Sequence, residues 1–223
     1  MSKFQRPGGA KPATPLPAKS AAPASKYKRA GEIQLSADIN YQRAGRYLLL
    51  VERVEEGVTP RGREEFVSAH SVVLAADDSE RTPLDRRFGG ALHRVGEGVT
   101  WFQKLKGDYF NQNMLKFAIA ASNMRQDEIT AAENAAGHSI VQEMVSAEQP
   151  FAGVVLEAHV EIKVKKNGRE LSEDKLTGDH ITTVTNWVRR LPFTEVKELV
   201  EADVLAQYLP DLDAKIAKEA AGA

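Results

Sequence analysis

Positive side chains gather in two short stretches of this chain, and aromatic rings stand near both. Arg46, Arg53, Arg61 and Arg63 fall in GRYLLLVERVEEGVTPRGREEF together with Tyr47 and Phe66. Lys163, Lys165, Lys166 and Arg169 fall in VEIKVKKNGRE, with Trp187 further on, and Trp101 and Phe102 form an adjacent pair between the two stretches. Guanidinium and ammonium groups neutralise phosphates, and flat side chains stack on bases; together they are the chemistry of holding a single-stranded polyanion. Stacking contributes ~1–3 kcal/mol per base, and each neutralised phosphate adds a salt-sensitive increment. Neighbours on a strand face opposite ways, so one of Trp101 and Phe102 faces a ligand and the other the core. Tyr47 and Arg46 are divided in the same way. His159 falls on the outward side of its strand and reads as an ordinary surface histidine.

Other chemistries lack their residues. The histidines at 70, 93, 138, 159 and 180 have no helical pair spacing, and the chain has no cysteine. That excludes disulfides, thiolate metal sites and a cysteine nucleophile. There is no GxxxxGK[ST] loop, no GxSxG elbow and no GxGxxG following a strand. Asp174, Asp179 and His180 read as a polar loop. The expectation is a protein without catalytic residues, cofactor or metal.

The elements that must carry these side chains follow a β, helix, β order. A strand opens at Gly45-Arg46 and runs to about Val54, too apolar on both sides for a clean alternation. A Gly/Pro turn over 57–62 leads into a second strand over about 63–74. Residues 75–96 give no clear pattern, and a short third strand falls near Val99 to Leu105. A helix spans Asp108 to Met124, with Asp108 as N-cap and Phe110, Met114, Phe117, Ala118 and Ala121 on one face. A second helical piece over 127–145 breaks near Gly137. Residues 151–171 then read as a long hairpin whose first strand alternates from Val154 to Lys165, with Lys166-Asn167-Gly168-Arg169 as its basic tip. A last strand spans about 179–188, and a helix with Val196, Leu199, Val200, Val204 and Tyr208 on one face runs from Thr194 to Pro210.

Charge divides the 223 residues unevenly. Residues 1–31 are rich in Pro, Ala, Ser and Gly, carry seven basic side chains and no acidic one, and read as a disordered leader. All 31 acidic side chains fall in residues 32–223. They cluster at 77–80, at 127–133 and from Glu195 onward, away from both hairpin tips, as expected if one face is kept for a polyanion. The boundaries read from this are a leader (1–31), a folded domain (32–193) and an acidic C-terminal helix and tail (194–223). No apolar run approaches the ~20 residues of a membrane span. With no secretory pattern, the expectation is a cytoplasmic protein with no membrane partner.

Antiparallel strands with helix between the third and fourth form the layout of an α+β, five-stranded Greek-key barrel of the OB type. Its loops joining strands one to two and four to five flank the ligand face, where both basic tips would fall. The phrases GRYLLLVERVEEGVTPRGREEFV, WFQKLKGDYFNQNMLKFAIAAS, QPFAGVVLEAHVEIKVKKNG and TTVTNW resemble bacteriophage single-stranded-DNA-binding proteins of the OB-fold type, over roughly residues 44–192. The resemblance implies non-catalytic, sequence-nonspecific coating of single-stranded DNA in replication or recombination. The acidic helix from Thr194 would offer a surface to replication or recombination proteins, and self-association stays open. The alternative is a non-catalytic adaptor, part of a virion or replication assembly, whose barrel contacts protein.

Overall fold

The computed structural model describes residues 41–59, 64–107 and 109–222. The basic leader, the first hairpin tip with Arg61 and Arg63, and the expected cap Asp108 lie outside the described residues. The strands are β1 (Gly45–Val58), β2 (Glu65–Asp77), β3 (Gly98–Lys104), β4 (Val155–Val164) and β5 (Ile181–Leu191). The helices are α1 (Pro83–Phe88), α2 (Phe110–Ser122), α3 (Gln126–Ala136), α4 (Ile140–Met144), α5 (Phe193–Leu199), α6 (Ala202–Tyr208) and α7 (Leu212–Gly222).

The strands form one antiparallel sheet in the order β3-β2-β1-β4-β5. β1 to β3 make a meander, and β4 returns through a long helical connection to lie beside β1, which is a Greek key. The fold is therefore mixed α+β. The expected closed barrel is a point of difference, because β3 and β5 are the two edges of an open sheet. Side chains bridge the gap. Trp101 of β3 meets Trp187 of β5 edge-on, with ring centroids 5.4 Å apart, and Phe117 of α2 packs on both at 5.3 and 5.0 Å. The indoles and α2 fill the space between the strands, which keeps their backbones from pairing.

The doubly apolar reading of β1 has a physical reason. Tyr47, Leu49, Val51 and Val54 face a core shared with Val67, Ala69, Trp101, Leu156, Ala158, Val160 and α2. Leu50 faces the other way, into a second core with Leu74, Val155, Leu191 and the apolar face of α5 to α7. Both faces of the sheet centre are buried, so strict alternation is lost. The expected single helix from Thr194 to Pro210 is broken after Leu199, where Val200 is extended, and a further helix follows Pro210. These C-terminal helices cover the sheet as part of the body.

Three devices complete the sheet. β1 carries irregular pairing at Leu48/Leu49 and Val51/Arg53. Near the second, the Gln149 side chain substitutes for a strand residue: its carbonyl accepts from Val54 N at 2.8 Å and its amide donates to Val54 O at 2.9 Å. α1 begins with a capping box, Thr82 to Asp85, and the Asp85 carboxylate also accepts from Ile162 N at 2.7 Å. β1 stops pairing at Gly45↔Val160, so Asp85 satisfies a β4 amide beyond the partner strand. Thr82-Pro83-Leu84-Asp85 is a recognisable helix start within the stretch that gave no clear pattern.

Candidate nucleic-acid interface

The β4–β5 connection is not the tight hairpin that Asn167-Gly168 suggests. β4 ends at Val164, three single-turn 3₁₀ segments follow, and β5 begins only at Ile181. Gly168 does not have the positive φ of a type I′ turn. A Cβ there would sit 2.8 Å from His180 Cβ and 2.9 Å from Val164 Cγ1, so glycine allows the loop to close on itself. Lys165, Lys166 and Arg169 remain exposed on this loop. Lys165 Nζ donates to Asp179 O at 3.3 Å, while Lys166 and Arg169 make no ion pair among the described residues.

The other predicted cations among the described residues, Arg46, Arg53 and Lys163, are neutralised locally. Arg46 binds Glu157 through Nε at 2.8 Å and Glu80 through Nη1 at 3.1 Å. Its bond to Glu157 raises the guanidinium pKa above its ordinary value. Arg189 reaches the same buried Glu157 and also Glu195. The resulting network of alternating charge ties β1, β4 and β5 to α5. Arg53 pairs with Glu55 at 3.2 Å, and Lys163 with Glu161 at 2.8 Å.

Among the predicted stacking residues, Tyr47, Trp101 and Trp187 are buried in the main core. They hold the fold together and present no ring face to a ligand; burial also pushes the Tyr47 phenol pKa up. Phe66 is buried as well, under Phe102 at 4.7 Å between centroids. They differ from the expected stacking role because their large apolar surface is worth more inside than at a wet face. Phe102 alone of the five is half-exposed, on the side of β3 opposite Trp101.

Phe102 lines a cleft of about 760 Å³ between the unpaired edges of β3 and β5. Its walls are Thr100 to Gln103 of β3, Thr182 to Thr185 of β5, and Tyr109, Gln112, Asn113 and Lys116 at the start of α2, with Tyr41 and Gln42 closing one side. No carboxylate is among these residues, although the body of the chain is acidic. Tyr41 and Tyr109 are 56% and 68% exposed. Tyr41 packs edge-on to Phe102 at 6.4 Å and is bridged to Thr100 of β3. The backbone beside it is held by His93, whose Nε2 lies 3.0 Å from Arg43 N and 3.1 Å from Tyr41 O. The cleft joins rings, hydroxyls, amides and one lysine, a set suited to bases rather than to metal or acid–base chemistry. Sequence reading missed Tyr41, Tyr109 and the amides. The available signal was two tyrosines that no core face claims, Tyr41 ahead of the first strand and Tyr109 off the apolar face of the expected helix.

On the outer face of β2 and β3, beside Phe102, lies a small polar network. His70 Nε2 is 3.0 Å from Glu55 Oε1 and 3.2 Å from Ser68 Oγ, and its Nδ1 is 3.2 Å from Thr100 Oγ1. Serine and carboxylate share one ring nitrogen, so this is not the relay of a nucleophilic triad. The His70 hydrogen bond lowers the Glu55 pKa to about 2. Asp174, Asp179 and His180 do not gather as ligands, and among the described residues no group of three or more His, Asp or Glu side chains could hold a metal ion. No helix of the described residues is long and apolar enough to cross a membrane.

No protein-family model matches this chain, and no curated protein matches it.

Proposed function

We propose that this chain binds single-stranded DNA without sequence selectivity, as a non-catalytic coating protein of replication or recombination built on an opened OB-type Greek-key barrel. The observation that carries the reading is the cleft beside β3. Among the described residues its lining has no carboxylate, within an otherwise acidic body, and it is edged by three accessible rings, Tyr41, Phe102 and Tyr109. Sequence-tolerant binding needs ring faces for bases and cations for phosphates, and little else. The cations are Lys116 in the cleft and Lys165, Lys166 and Arg169 on the loop that leads into its β5 wall. Arg46, Arg53 and Lys163 contribute less, since each already has an anionic partner.

The test is fluorescence anisotropy of a labelled mixed-sequence oligonucleotide, single-stranded and as duplex, across a salt series. Affinity for the single strand that falls steeply with salt, with weaker duplex binding, is the expected result. Binding to neither form at low salt would remove this reading and leave the sheet as a surface for protein.

A further inference from the structure

Gln42 is 7% exposed and forms part of the cleft wall. Its Oε1 accepts from Thr185 Oγ1 at 2.6 Å, a contact that joins the segment before β1 to the β5 edge. Its Nε2 is buried and has no hydrogen-bond partner among the described residues. Buried polar atoms are almost always paired, so this orphan N–H just behind the cleft wall would gain a partner if a small side-chain shift let an acceptor in the cleft reach it. A second amide pair supplies complementary groups in the same cleft. Asn113 Nδ2 donates to Gln103 Oε1 at 2.8 Å, which leaves Gln103 with a donor nitrogen and Asn113 with an acceptor oxygen outside the pair.

We propose that the cleft is a base-insertion site: one unstacked nucleobase of the bound strand enters between the β3 and β5 edges. Its polar edge meets the Gln42, Gln103 and Asn113 amides, while Phe102 and Tyr109 flank its faces. The amides together offer donors and an acceptor, and the Watson–Crick edge of every base presents both, so the site takes any base. No carboxylate among the described lining residues opposes the attached phosphate, and Lys116 can meet it. This rests on the single-strand reading but assigns a place for a base that no exposed sheet face requires.

The test combines two measurements on the full chain. Uncharged thymidine and adenosine are added at millimolar concentration while the side-chain amide resonances of Gln42, Gln103 and Asn113 are followed by NMR. Oligonucleotide affinity is then measured for Tyr109→Ala, an exposed position, and for Gln42→Met, which removes the orphan donor at similar size without adding a charge to the cleft. Shifted amides, with affinity reduced roughly fivefold or more in both variants, are expected. If the wild-type chain binds oligonucleotide, yet the amides stay still and both variants bind as wild type, base insertion is overturned while the coating reading stands. If nucleosides shift the amides but no oligonucleotide binds, the base site stands and the coating reading falls. If neither ligand binds, both are overturned.

Discussion

Two adjacent rings on β3 have opposite fates, and their substitution should separate stability from binding. Trp101→Ala removes a fully packed indole from between Phe117 and Trp187 and should cost about 3–5 kcal/mol in urea unfolding. Phe102→Ala leaves that stack intact and should cost much less, yet weaken single-strand binding roughly fivefold or more in the anisotropy titration. Equal loss of stability in the two variants would contradict this division. Glu55 provides a second residue-level prediction, one of pH. Its folded pKa is lowered from 4.5 to about 2, chiefly by the bond to His70. A lowered carboxylate pKa contributes stability that is complete above the unfolded value and is lost as pH falls through the folded one. Urea midpoints should therefore decline between pH 4.5 and about 2, and His70→Gln should make that decline shallower. Glu55 is partly exposed, so solvent screening keeps the effect small. Residue types announced the aromatic chemistry, but not which rings were available. Burial decides that, and burial depends on partners from distant parts of the chain such as α2.

At the level of elements, the β4–β5 loop is where charge remains to be used. Replacing Lys165, Lys166 and Arg169 with alanine should weaken single-strand binding and lower the slope of log affinity against log salt by up to about 2–3, without changing thermal stability. An unchanged slope would move phosphate contact elsewhere. The succession of strands and helices along the chain and the α2 stripe were legible because they rest on local pattern; Met114, Phe117, Ala118 and Ala121 are buried as their spacing predicts. The break at Gly137 was legible too, since its φ of +73° suits glycine. The tight hairpin at Asn167-Gly168 was misread because two different needs select glycine. There it serves close packing against His180 rather than a left-handed turn. The C-terminal helix was read as one piece because its apolar residues keep a helical period, and the extended backbone at Val200 leaves little trace in composition.

For the whole molecule, the C-terminal helices and the sheet stand or fall together. Phe193, Val196, Val200, Val204, Leu205, Leu209 and Leu212 close the second core over Leu50, Leu74 and Val155. A chain ending at Pro192 should lose cooperative unfolding and become sensitive to proteolysis, rather than leave an intact domain without its tail. Retention of a sharp transition would show the second core to be dispensable. The same packing occupies the apolar face of this region internally, so a partner recruited here would meet its acidic outer side chains. Finally, the stitched seam carries its own reporter. The chain has two tryptophans, and both lie in the seam, edge-on and 5.4 Å apart. Intrinsic emission from this chain consequently registers how far the two sheet edges have parted, as a spectroscopic caliper. A spectral change on adding DNA would report on this seam, where parting of the β3 and β5 edges and entry of a base into the cleft walled by Trp101 both alter the indole surroundings.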